Sequence, residues 1–131
     1  MVRVMASGVF DLVHLGHLYY LMEAKKLGDE LVVVVARDET VRRLKHEPIM
    51  NERLRLDMVK GLKPVDLAVL GHKDDPYRIV EELKPDIIAI GYDQSHDPKE
   101  IERELKMRGV KVRVVRLQQF RDELNGTRKL I

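Results

Sequence analysis

At 131 residues and 44% hydrophobic content, the chain is one domain's worth of protein, able to bury a core without disulfides or metal staples. Its 24 basic and 22 acidic side chains leave a net charge of +2, which argues against a supercharged nucleic-acid binder and an acidic disordered tail, and the absence of cysteine excludes thiol nucleophiles and thiolate zinc sites. The longest apolar run, residues 31–36, falls far short of the roughly 20 residues of a membrane span, and residues 1–7 lack a secretory signal's basic start, so no membrane partner is expected and the cytoplasm is the simplest home.

Short β-type runs alternate with helical patterns from end to end, which is the signature of an α/β fold. A strand over residues 2–6 leads to a helix over about 17–27, with Leu18, Leu21 and Met22 on one face and Gly28 as its stop. A second strand, 30–36, precedes a short helix after Asp38. The next helix starts at the N-cap candidate Asn51, turns Leu54, Met58 and Leu62 inward, and ends near Gly61 and Pro64. A third strand, 67–70, is followed by a helix opened by Asp75-Pro76, a fourth strand, 86–90, and a helix opened by Asp97-Pro98. There Glu100 stands at capping-box spacing from Asp97, and Ile101 and Leu105 form the buried stripe. The last strand, 110–115, alternates Val110, Val112 and Val114 with Lys111 and Arg113, as an edge strand with one wet face does.

The pattern predicts a single domain, 1–131, with a doubly wound (Rossmann-like), five-stranded, mainly parallel sheet and five helices. Ligands of such sheets bind outside the carboxyl ends of the strands, where the strand order reverses. Those ends carry Ser7-Gly8, Gly71-His72, Gly91-Tyr92-Asp93 and the approach to Arg116 and Phe120.

Neither a dinucleotide fingerprint nor a Walker loop occurs. In their place, after the first strand, stands Ser7-Gly8-Val9-Phe10-Asp11-Leu12-Val13-His14-Leu15-Gly16-His17. It sets two imidazoles three residues apart, around a glycine, at the opening of a helix. A helix start offers N–H groups and partial positive charge, Gly16 would let a phosphate approach the backbone, and the imidazoles could stabilise a transferring phosphoryl group without a covalent step. A lone histidine is more often a surface residue; the pair in this setting points to phosphoryl chemistry. Asp11 has two readings, a loop stabiliser that accepts backbone N–H groups, which is the favoured one, and a contact to a ligand.

This stretch resembles the GxFDxxHxGH signature of the cytidylyltransferase-like nucleotidyltransferases. Lys45 and Arg55 fall where relatives place phosphate-holding residues, and residues 62–66 and 86–94 resemble most closely the archaeal FAD synthases. The resemblance implies transfer of the adenylyl group of ATP to FMN, giving FAD and pyrophosphate, with a divalent cation such as Mg²⁺ arriving with ATP. It implies catalytic roles for His14, His17, Lys45 and Arg55. Nucleotide binding would fall to Gly8, Val9, Phe10, His14, His17, Gly91, Asp93, Arg121 and Thr127, in a cytoplasmic homodimer. Relatives end in hydroxyl-rich segments; here Arg121 and Thr127 match, whereas Gly126 and Arg128 replace hydroxyl residues. Two alternatives stay open: a cytidylyltransferase using CTP with glycerol phosphate, and a non-catalytic nucleotide-binding module. A domain this short leaves no room for a fused riboflavin kinase, so the acceptor would be FMN and not riboflavin.

Other features are less specific. From Arg103 onward the chain has 9 basic and 3 acidic residues, a bias that fits a solvated face or attraction for a triphosphate. His46, His72 and His96 read as surface histidines, no metal-ligand cage is legible, and Tyr92 and Phe120 read as core residues that could alternatively stack on a ring.

Overall fold

The structure, a computed structural model, describes residues 1–92 and 94–118. Its elements in chain order are β1 (Arg3–Gly8), α1 (Leu15–Lys25), β2 (Glu30–Val35), α2 (Asp38–Leu44), α3 (Glu52–Lys60), β3 (Leu67–Leu70), α4 (Arg78–Leu83), β4 (Ile87–Ile90), α5 (Pro98–Met107) and β5 (Arg113–Arg116). The strands form one sheet in the order β3-β2-β1-β4-β5, and every pairing is parallel. The chain winds outward from β1 to β3, then returns to β4 on the other side, so the order reverses between β1 and β4. In a doubly wound sheet that is the ligand crevice.

Alternation along each strand explains why both faces are covered. On β2, Leu31, Val33 and Val35 enter one core cluster with Leu21 and Ala24 of α1 and Leu56 and Val59 of α3. Val34 faces the opposite way, joining Met5, Ile88, Ile90, Ile79 and Val80 of α4, Leu105 of α5 and Val114. The expected inward sets Val110/Val112/Val114 and Ile101/Leu105 pack in this second cluster, with β5 at the sheet edge as its wet face requires.

The ends are set by local chemistry. Asn51 accepts the Leu54 N–H at 2.9 Å, and Asp97 accepts the Lys99 N–H at 3.1 Å with Pro98 in the first turn. Gly28 is required by a close approach: a Cβ there would stand 2.8 Å from the Val2 carbonyl oxygen. Among the described residues no helix is long and apolar enough to cross a membrane.

Two inward faces differ from the sequence expectation. On α1, Leu21 and Ala24 are buried while Met22 is exposed, because the run Leu18–Met22 is apolar throughout and leaves the helical phase undetermined. On α3, Leu54 and Met58 are about half exposed and the inward residues are Arg55, Leu56 and Val59. A buried arginine on that face defeats a reading by hydrophobic period. The Asp75-Pro76 signal also lies a turn early: Asp75 accepts the Tyr77 N–H at 3.0 Å, and α4 begins after it.

Candidate active site

At the switch point the ladder between β1 and β4 is short, pairing Val4 with Ile87 and Met5 with Ile88, whereas β1 stays paired with β2 through Gly8. Where that ladder ends, the half-buried Tyr20 of α1 takes over. Its hydroxyl donates to the Ala89 carbonyl at 2.6 Å and accepts the Ser7 N–H at 3.3 Å. The phenol thus bridges two strands that no longer pair, and the crevice opens beyond it.

The loop from Val9 to Val13 rises from β1 in a strained path, with Phe10 and Leu12 at φ 56° and 64°. Such left-handed residues cost of order 1–3 kcal/mol each and concentrate at functional sites. Phe10 is nonetheless almost fully buried, its ring lying where a side chain at Gly8 would stand: a Cβ there would come within 2.9 Å of the ring. Asp11 pins the far side of the loop, accepting the Ile49 and Met50 N–H groups at 2.8 and 2.9 Å. The Ile49 N–H is the main reason the Asp11 carboxyl lies below the ordinary value of 3.8, with Met50, Arg55 and His46 adding to it against desolvation. The loop-stabilising reading of Asp11 is what the structure shows.

His14 and His17 open α1 as a reciprocal cap. The Gly16 N–H donates to His14 Nδ1 at 3.0 Å and the His14 N–H donates to His17 Nδ1 at 3.1 Å, with the rings stacked at 4.0 Å between centroids. A nitrogen that accepts an N–H holds no proton, so these hydrogen bonds assign each neutral ring its proton at Nε2. The helix therefore starts at Leu15, two residues before expectation, and its first N–H groups are not all free for a ligand. Gly16 likewise has a different task from the one expected: a Cβ there would meet His14 Cε1 at 2.8 Å, so the glycine makes room for an imidazole.

Arg55 departs furthest from expectation. It is wholly buried, and its guanidinium donates to the carbonyls of Met50, Val9 and Ala36 and to Asp38 Oδ1 at 2.9, 2.9, 2.7 and 2.6 Å. With those bonds made it does not reach the cleft; it ties the loop after β1, the end of β2 and the lead into α3 into one unit. Burial of Asp38 opposes its ionisation, but the Arg55 hydrogen bond and charge, together with the Glu52 N–H, outweigh that and hold the carboxyl below 3.8. Glu52 completes the tie by accepting the Asp38 N–H at 2.9 Å and pairing with Arg37 at 3.2 Å.

The cleft that results has a volume of about 1110 Å³ and runs across the carboxyl ends of the sheet. Gly8, Val9, Phe10, His14, His17, Lys45 and Gly91 line it, as does Tyr92, which is half exposed and not a core residue. His46, His72 and His96, read from sequence as plain surface residues, all lie on its walls. After β4, Gln94 Oε1 accepts the Gly91 N–H at 2.9 Å, and Arg116 donates to the Gln94 carbonyl at 3.1 Å and to the His96 carbonyl. Asp93, Phe120, Arg121, Gly126, Thr127 and Arg128 lie outside the described residues. Among the described residues no group of three or more His, Asp or Glu could hold a metal ion.

Sequence reasoning missed Tyr20, Asp38 and Glu52. Nothing in the sequence set Tyr20 apart from the largely apolar run around it, Asp38 marked only the start of a short helix, and Glu52 followed the Asn51 cap without a signal of its own.

The family model described as "Cytidylyltransferase-like" matches residues 5–128. The chain is 67% identical over 132 residues to an FAD synthase of Aciduliprofundum boonei, covering 100% of this chain and 89% of the relative. It is 55% identical to an FAD synthase of Thermoplasma acidophilum, covering 97% of this chain and 89% of that one. A crystal structure from Thermoplasma volcanium, described as a lipopolysaccharide core biosynthesis protein, superposes with a TM-score of 0.90 at 52% identity, covering 92% of this chain and 99% of that one.

Proposed function

We propose that this chain, which belongs to the cytidylyltransferase-like family and within it to the archaeal FAD synthases, joins the adenylyl group of ATP to FMN in a single in-line transfer. A phosphate oxygen of FMN attacks the α-phosphorus, the new P–O bond forms as the bond to the β-phosphate oxygen breaks, and pyrophosphate leaves. The attacking phosphate is already ionised, so no general base is needed, and catalysis is positioning plus charge stabilisation.

The observation that carries this reading is the stacked imidazole pair at the switch point, each Nδ1 committed to the backbone. Rings so fixed present Nε2–H donors in a set orientation, and donors that need no reorganisation stabilise charge developing on the reacting phosphates. Lys45, which ends α2 on the cleft wall, supplies positive charge to the triphosphate. Arg55 acts as a positioning residue that holds the phosphate loop in shape. Gly8 and Gly91, on the cleft wall, offer backbone groups to the nucleotide, and resemblance to relatives assigns nucleotide binding to Asp93, Arg121 and Thr127 as well. The divalent cation enters as part of the Mg–ATP substrate, in keeping with an ion that retains its waters and needs no protein cage. The reaction belongs to the cytoplasm. A homodimer, implied by resemblance to relatives, is tested by light scattering at micromolar concentration, where a monomer mass would contradict it.

The test is pyrophosphate release by the purified chain with Mg²⁺. It should require ATP and FMN together. Release without FMN, or none with both, would contradict the reading, and the latter would favour a binding module.

A further inference from the structure

Beyond β4 the chain does not pass at once into its helix: Gln94, Ser95 and His96 precede the Asp97 cap of α5 and line the cleft. Because the sheet order reverses between β1 and β4, the connections that leave these two strands form the two sides of the crevice. The imidazole pair belongs to the β1 side. Gln94, Ser95 and His96 form a polar wall on the other, continued by Gln118 beyond β5.

Two sets of hydrogen bonds hold this wall. Gln94 closes a turn on the strand end, its N–H donating to the Gly91 carbonyl at 3.2 Å and its Oε1 accepting the Gly91 N–H at 2.9 Å. The second set comes from the neighbouring strand. Arg116, the last residue of β5 and the register partner of Ile90, donates from one guanidinium nitrogen to the Gln94 carbonyl at 3.1 Å and to the His96 carbonyl. Its own backbone is fixed, since the Leu117 N–H donates to the Ile90 carbonyl at 2.8 Å and extends the β4–β5 pairing past the strand end. Arg116 is exposed, and an exposed side chain adds little to the stability of the core. What it fixes is the path of a loop.

We propose that Arg116 is a positioning residue for the nucleotide, which holds Gln94, Ser95 and His96 as a preformed wall so that ATP binds without having to order it. The proposal rests on the ATP reading above and deepens it. A segment that is ordered only on binding takes that conformational entropy out of the affinity, and a preformed one does not. The imidazoles are fixed separately, by caps within the start of α1. Loosening the wall therefore weakens the binding of ATP but leaves transfer from bound ATP nearly as fast, the pattern of an interaction made equally in ground and transition states.

Arg116→Met tests it, removing the donors from an exposed position while keeping a side chain of similar length. With Mg²⁺, the KM for ATP should rise about tenfold, with kcat within about threefold and the KM for FMN within about twofold. Tm should stay within about 2 °C. Arg116→Lys, which keeps a donor on a long stem, should recover most of the KM for ATP. Amide hydrogen exchange at residues 94–97 of the nucleotide-free chain should quicken in Arg116→Met, and a saturating non-hydrolysable ATP analogue should restore protection. An unchanged KM for ATP overturns the proposal. So does a raised KM with unchanged exchange, which would mark Arg116 as a charge attracting the triphosphate, or a parallel rise of both KM values with a fall in Tm, which would mark it as structural. Failure of the unmodified chain to bind the ATP analogue overturns the ATP reading itself, and the proposal with it.

Discussion

Substitution of Arg55 by methionine removes a fully buried guanidinium that serves three carbonyls and the Asp38 carboxylate, while keeping a side chain of similar length. Each buried acceptor left without a donor costs about 1–3 kcal/mol, and stripping one partner from a buried ion pair costs about 3–5 kcal/mol. The Asp38 side chain retains 17% exposure, so water can take up part of the loss, and the desolvation of the guanidinium itself is relieved, so the net destabilisation falls below the sum of those ranges, to at least about 3 kcal/mol. For a chain of this size that corresponds to a fall in Tm of roughly 10 °C. Arg55→Lys should lose about half as much, because an ammonium keeps the charge but cannot reproduce the fork. Thermal melts by circular dichroism give the stability, and kinetics well below the lower Tm separate folding from catalysis. A variant that melts within about 2 °C of the parent while its KM for ATP rises steeply would show Arg55 working on phosphate, and would refute the positioning role.

The other predictions concern the same cleft. His17→Ala should lower kcat on the order of 10²-fold with a much smaller change in ATP affinity; near-normal kcat in a folded variant would refute the role of its Nε2–H. Lys45→Ala should raise the KM for ATP while leaving Tm within about 1 °C, since an exposed lysine contributes little to folding, and a large Tm loss would mark it as structural. Tyr20→Phe leaves the Ala89 carbonyl without its phenol donor and should cost about 1–3 kcal/mol in denaturant titrations; an unchanged midpoint would show that the strands close up without it. Asp11, Asp38 and Asp66 all have carboxyl pKa values held below 3.8 in the folded chain, Asp66 chiefly by the Lys25 hydrogen bond. Groups depressed on folding contribute stability above their ordinary value and lose it as pH falls through the folded value. Tm should therefore be level from about pH 8 to 5 and fall below about pH 4; a Tm that rises on acidification would contradict this.

Much of this architecture was legible because hydrophobic runs and their punctuation agree. The continuous β-branched strand at residues 30–35, the Asn51 and Asp97 caps and the alternating valines of the last strand each admit one structural solution. The imidazole pair was legible as a motif, yet its geometry was not, since nothing in the spacing says that each ring caps the helix through Nδ1. Arg55 shows where sequence reasoning fails. Its resemblance to a phosphate-holding arginine points it at the cleft, but three acceptors from segments distant in sequence, Val9, Ala36 and Asp38, converge on it, and satisfying them turns the helix so that Leu54 and Met58 face outward. Tyr20 is similar: its role depends on the β1–β4 ladder ending after Met5 and Ile88, which only the assembled sheet reveals.

The central claim, adenylyl transfer to FMN, is tested most directly by separating the products of the purified chain on a matched pair of substrates, ATP with FMN and CTP with glycerol phosphate. FAD is expected from the first pair with kcat/KM at least about tenfold above that for the second, a discrimination that needs only about 1.4 kcal/mol. Conversion of the second pair at equal or greater efficiency, or no FAD with any of Mg²⁺, Mn²⁺ or Co²⁺ while another phosphate acceptor is converted, would contradict it.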